Sequence, residues 1–141
     1  MPVTVTDSVN DPSLAARLEA SRAFIELEFR RNPTVKEIAR AANLSTYHFH
    51  RVFRRYFGVT PKQVVLELQV DEVKRLVLAG LPFAEAARAA GFSHQAHMTG
   101  RFKRLVGTTP GRWLRALRDG TTGVICYITE TLPLELVAAF A

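Results

Sequence analysis

"HFHRVFRRYFGVTP" at residues 48–61 returns as "HMTGRFKRLVGTTP" at residues 97–110, so that His48 stands opposite His97, Phe53 opposite Phe102, Gly58 opposite Gly107 and Pro61 opposite Pro110 at an offset of 49. Just upstream, "EIARAANLS" (37–45) pairs with "AEAARAAGFS" (84–93). There Glu37 meets Glu85, Arg40 meets Arg88 and Ser45 meets Ser93 at an offset of 48, so the second unit carries one inserted residue. Self-similarity at a fixed period marks one supersecondary unit used twice.

Each unit has the pattern of two short helices around a tight turn. In the first, Thr34 and Glu37 suit a capping box, Ile38 and Ala42 point inward, and Asn43 sits where the chain reverses. Asn and Gly are the residues that tolerate a left-handed backbone at a helix end, and the second unit has Gly91 there. Small Ala39 and Ala87 stand four residues before the turn, where a crossing helix needs close approach. Leu44 and Phe92 are expected inward plugs, and Ser45 and Ser93 the N-caps of the following helices. Phe49, Val52, Phe53 and Tyr56 are then expected to form one buried helical stripe, matched by Met98, Phe102 and Leu105 in the second unit.

Between the units, Thr60-Pro61-Lys62-Gln63 supplies an N-cap, a proline at the first helical position and a capping-box glutamine. A helix is expected to run from there to about Ala79, stopped by Gly80 and Pro82, with Leu66, Val70, Val73 and Val77 as its main apolar stripe, widened by Val65, Leu68 and Leu76. Such a rod is roughly 28 Å long, close to the roughly 34 Å between successive major grooves on one face of DNA. Upstream, Asp11-Pro12 opens a helix whose Leu14, Leu18, Ile25 and Phe29 cover the first unit. Downstream, Thr109-Pro110 starts a last helix holding Trp113 and Leu117. The expected architecture is all-α: a flexible N-terminus (1–10), a first helix-turn-helix subdomain (11–59), a linker helix (60–80), a second helix-turn-helix subdomain (81–118) and a short apolar tail (119–141).

The charge distribution says what such a scaffold faces. The chain of 141 residues has a formal net charge of +6. Residues 45–62 and 93–118 contain ten Lys and Arg and no acid, so the remainder carries −4. Segregation of this kind is the footprint of a polyanion partner rather than of an ordinary solvated surface. The first residues, "MPVTVTDSVNDPS", lack the basic flank and apolar core of a signal peptide, and no stretch approaches the roughly 20 apolar residues that span a bilayer. A cytoplasmic location without membrane contact is expected. The single cysteine, Cys126, excludes an internal disulfide and any multi-cysteine zinc site. In its apolar run it fits a buried small hydrophobe better than a nucleophile.

Taken together, "IARAANLSTYHFHRVFRRYFGVTPKQ" (38–63) and "GFSHQAHMTGRFKRLVGTTPGRW" (91–113) resemble the AraC/XylS family of bacterial transcription regulators, specifically its DNA-binding domain of two helix-turn-helix units. The likeness covers most of residues 14–118. Two units at this spacing, each ending in G-x-T-P, form a far more specific signal than one alone. The resemblance implies sequence-specific binding of double-stranded DNA near promoters, usually activating transcription through contact with RNA polymerase, with the two recognition helices in successive major grooves. No cofactor and no metal are implied.

Transferred onto this chain, the base-reading face comprises Thr46, Tyr47, His50 and Arg51, with Gln95, Ala96 and Thr99 in the second unit. Arg51 suits a bidentate contact to guanine and Tyr47 a thymine methyl, while His50 and Gln95 can donate to base acceptors. Arg54, Arg55, Lys62, Lys103, Arg104 and Arg112 are expected on phosphates, where they add affinity without sequence information. In one place the chain departs from the family: Gly100 stands where an arginine is frequent, which points to a second unit that clamps phosphate more than it reads bases.

The histidines give a second line of argument. His48 and His50 diverge by about 200° on a helix and cannot share a metal. His48 and His97 are expected to be structural hydrogen-bonding residues, and His94 with His97 lacks a neighbouring carboxylate or thiol. No nucleophile, base or metal constellation supports an enzyme. The competing reading is a protein-interaction module that binds RNA polymerase or another regulator without strong DNA specificity. With about a dozen residues before the first helix, a regulator without its own sensor domain is expected, as a monomer or a weak dimer through the tail.

Overall fold

The computed structural model describes residues 12–120, so the expectations placed on the flexible N-terminus (1–10), on Asp11, on Cys126 and on the tail from residue 121 onward lie outside the described residues. The described chain is all-helical: α1 (Pro12–Glu28) running into a 3₁₀ turn (Phe29–Arg31), then α2 (Val35–Ala41), α3 (Thr46–Phe57), α4 (Pro61–Leu78), α5 (Phe83–Ala90), α6 (Gln95–Val106) and α7 (Pro110–Arg118). It divides into two units, one up to Leu68 and one from Gln69, with the boundary inside α4.

In the first unit α1 packs on α2 and α3, and α2 packs on α3. Leu14, Leu18, Ile25, Phe29, Ile38, Ala39, Ala42, Phe49, Val52 and Phe53 form its core, joined by Val64 and Val65 from the start of α4. The capping box that opens α2 is complete: Thr34 Oγ1 accepts from the Glu37 amide at 3.2 Å, and Glu37 Oε2 accepts from the Thr34 amide at 3.0 Å. At the turn Asn43 is left-handed, at φ 56°. The Asn43 amide donates to Arg40 O at 2.9 Å and the Leu44 amide to Ala39 O at 3.1 Å. This pair of bonds satisfies the last carbonyls of α2.

The second unit repeats the arrangement. Gly91 takes the left-handed position at φ 109°, its amide donating to Arg88 O at 3.1 Å and the Phe92 amide to Ala87 O at 2.9 Å. Ala86, Ala87 and Ala90 of α5 are fully buried, α5 packs on α6, and α6 packs on α7. Phe102 meets Trp113 edge-on, with centroids 5.7 Å apart.

Four details differ from the sequence expectation. The N-cap of α6 is His94, not Ser93: His94 Nδ1 accepts from the His97 amide at 3.1 Å, while Ser93 Oγ lies 3.3 Å from His97 Nδ1. The inserted residue therefore falls before the cap, so that Ser45 corresponds to His94. The α4 capping box is half made. Thr60 Oγ1 accepts from the Gln63 amide at 3.1 Å, but the Gln63 side-chain amide donates forward to Glu67 at 3.3 Å. Leu66 is only half-buried, whereas Val64, Val65, Val70, Val73 and Val77 are buried. Finally, α4 buries polar groups as well, with Gln69, Glu72 and Lys74 all inside.

Candidate nucleic-acid interface

The face of α3 opposite its buried stripe is where the first unit meets solvent. Ser45 starts the helix by accepting from the His48 amide at 3.3 Å, and Gly58, left-handed at φ 79°, ends it by donating to Arg54 O at 2.8 Å. Between those stops Phe49, Val52 and Phe53 are buried, and the 3.6-residue period pushes the intervening positions outward. Thr46, Tyr47, His50, Arg51 and Arg54 are exposed and line one shallow groove together with Val35 from the first turn of α2. The structure brings these five side chains together on one surface feature. Tyr47 is 78% exposed, and the guanidinium of Arg51, one turn on, lies 5.9 Å from its ring centroid. That is the outer range of a cation–π contact.

Arg55 and Lys62 are exposed, at the end of α3 and the start of α4. In the second unit Gln95, Ala96, Lys103 and Arg104 are exposed on α6 and Arg112 on α7, while Thr99 is half-buried. Met98 and Phe102 fill the inner side of α6. Gly100 is exposed, and a Cβ built on it would meet nothing within 4 Å. Its place in the helix is therefore not dictated by close packing.

Neither α3 nor α6 contains an acidic residue. The ion pairs Arg22–Glu26, Arg31–Glu28 and Arg75–Glu72 lie on α1, the 3₁₀ turn and α4. With no carboxylate of their own, the exposed faces of α3 and α6 are cationic, a property that suits docking on a phosphate backbone. The rings that could have served as stacking platforms, Phe49, Phe53, Phe102 and Trp113, are buried. Among the described residues no group of three or more His, Cys, Asp and Glu could hold a metal ion, and no helix is long and apolar enough to cross a membrane.

Two features were not anticipated from the sequence. Val35 was not assigned to the face, because it belongs to the preceding helix and only folding brings it beside α3. Lys74 is 2% exposed, with its ammonium 5.9 Å from the centroids of both Phe102 and Trp113. Burial pulls its pKa below the ordinary 10.5, opposed by the nearby charge of Asp71. The Tyr56 hydroxyl donates to Glu19 at 3.1 Å, a bond that raises the phenol's pKa and ties α3 to α1.

A family model described as a helix-turn-helix domain matches residues 38–116. The HTH-type transcriptional regulator GlxA of Rhizobium meliloti is 36% identical over 103 residues, 72% of this chain and 31% of that protein. A protein of Photobacterium leiognathi named "Probable transcriptional regulator LumQ" is 32% identical over 91 residues, 64% of this chain and 37% of its own length. Among solved structures, the DNA-binding domain of the global transcriptional factor AdpA, in complex with a target DNA, superposes with a TM-score of 0.68 at 26% identity, covering 74% of this chain and 95% of that one. The chain spans about a third of the length of the curated relatives it matches.

Proposed function

Because the chain belongs to the AraC-type helix-turn-helix domain family, we propose that it is a transcription regulator that binds double-stranded DNA at preferred sequences and acts as an activator. The observation that carries this reading is the groove on α3. Thr46, Tyr47, His50, Arg51 and Arg54, chemically diverse and each suited to a base edge or phosphate, stand exposed on one cationic face. In this reading Thr46, Tyr47, His50 and Arg51 address bases in a major groove, with Gln95, Ala96 and Thr99 playing the lesser part in a second groove of the same duplex. Arg54, Arg55, Lys62, Lys103, Arg104 and Arg112 hold phosphates, and the threonine side-chain caps of α4 and α7 fix the helix starts that carry Lys62 and Arg112.

The chemistry is recognition rather than catalysis. In this reading the chain works in the cytoplasm, and activation proceeds through contact with RNA polymerase. The relative solved with its target DNA supports the choice of duplex DNA as partner.

Salt dependence tests the reading. Six cations on six phosphates give a slope of log affinity against log salt of about −5. Fluorescence anisotropy with a labelled duplex between 50 and 200 mM salt reads that slope directly. A slope near zero, or binding equally strong to a neutral polymer, would favour the protein-interaction module instead.

A further inference from the structure

Arg51 and its surroundings define more than a guanine contact. The groove that holds Arg51 has apolar walls: Val35, half-buried and packed against the core, the methyl-bearing side chain of Thr46, and the ring of Tyr47. Val35 is fixed in place because Thr34, immediately before it, is locked by the complete capping box of α2. Tyr47 keeps its ring in solvent at 78% exposure instead of folding onto the protein, with the Arg51 guanidinium at 5.9 Å from its centroid. A planar cation thus stands beside the apolar wall of a shallow, open groove. In the major groove, the base feature that fits such a wall is the C5-methyl of a pyrimidine, and the feature that fits the cation is the O6/N7 edge of guanine.

We infer that Val35, Tyr47 and Arg51 form one composite reader for a step in which a 5-methylpyrimidine adjoins guanine. Thymine supplies the methyl in ordinary DNA, and 5-methylcytosine supplies the same group in methylated DNA. Tyr47 has two parts in this reader: its ring forms part of the apolar wall and holds the Arg51 guanidinium over the neighbouring base. Val35 contributes from outside the recognition helix, so specificity at this step depends on the α2–α3 turn as well as on α3.

The inference rests on the DNA-binding reading and is tested first on the DNA, where the protein's folding is untouched, and then with variants of the reader. A duplex recovered by selection from random sequences is resynthesised with each thymine replaced in turn by deoxyuridine, which removes only the methyl. One thymine beside a guanine should lose about fourfold in affinity, the worth of one buried CH₂-sized group. 5-Methylcytosine at that position, paired with guanine, should bind more tightly than cytosine by a similar factor. Val35→Thr, which keeps the shape and adds a hydroxyl, and Tyr47→Ala should each reduce the uridine effect to below about twofold if the methyl sits between them. Tyr47→Phe should retain it.

Uridine substitutions that are all neutral, in a protein whose guanine preference still vanishes with Arg51→Ala, overturn the composite reader while leaving DNA reading intact. An effect that persists unchanged in both Val35→Thr and Tyr47→Ala overturns it as well. Failure of the selection to enrich any sequence overturns both it and the function on which it rests.

Discussion

Gly100 is the residue at which α6 differs most from α3 in physical terms, and its replacement gives a quantitative test. It lies inside α6, away from both caps, with an exposed surface and no positive φ. A Cβ there enters open space, so no steric term opposes it. What remains is the conformational term, which disfavours Gly against Ala by roughly 0.5 to 1 kcal/mol in a helix interior. Gly100→Ala should therefore stabilise the protein by that amount, a rise of about 2 to 5 °C in Tm for a chain of this size. Thermal unfolding followed by circular dichroism at 222 nm measures it.

Gly100→Arg should bring the same helical gain and add a cation to the face that carries Gln95, Ala96 and Lys103. Affinity for the selected duplex should rise about tenfold if the new side chain finds a base edge, with a preference appearing at one further position. If it finds a phosphate instead, the gain should be independent of sequence and the salt slope should steepen by about 1. A Gly100→Ala protein that loses 1 kcal/mol or more would refute the argument, because it would mean that this side of α6 is packed. Weaker DNA binding by Gly100→Arg would remove that side of α6 from the interface.

Four other residues yield outcomes of the same kind. His94→Ala should destabilise by about 1 kcal/mol, with His94→Ser restoring most of it, because only an acceptor for the His97 amide is needed; equal denaturation midpoints for wild type and His94→Ala would contradict the cap. Lys74→Met keeps the stem and removes the buried charge. Since burial lowers the folded-state pKa, the unfolded chain binds the extra proton, and wild-type stability rises with pH over the interval that ends at 10.5. The variant should melt higher than wild type at pH 7, and the difference should shrink as pH approaches 10.5; a lower Tm at pH 7 would show that the ring contacts and Asp71 outweigh burial. Ala39→Leu should lose about 1 to 3 kcal/mol by overpacking a fully buried position in α2, whereas Ala41→Leu, on the exposed side, should be nearly neutral, as urea denaturation would show.

How far the sequence could be followed depended on whether the signal was local. The helix-turn-helix units were legible because their punctuation is covalent and close by: Thr34 with Glu37, Asn43 and Gly91 at the reversals, Gly58 and Gly107 at the ends. Each acts within five residues of itself. The exposed face of α3 followed from the period of Phe49, Val52 and Phe53, since fixing the buried side of a helix fixes the other. Ser93 was misassigned as a cap because Ser is the commoner N-cap residue and the sequence alone did not locate the insertion to within one position. Histidine can serve there only through a ring nitrogen held in the right tautomer. Val35 and Lys74 were not legible at all. A valine at a helix start and a lysine in a helix give no sign of a groove or of two distant aromatic rings, and both assignments come from tertiary packing.

The central claim is that the α3 face of this chain reads base sequence in duplex DNA, and selection from a pool of random duplexes, run in parallel for wild type and Arg51→Ala, measures it most directly. Wild type should enrich one motif containing an essential guanine. Arg51→Ala should lose about 1 to 3 kcal/mol of affinity for that motif and tolerate any base at the guanine. Enrichment of an identical motif by both proteins, or of none by wild type, would contradict the account.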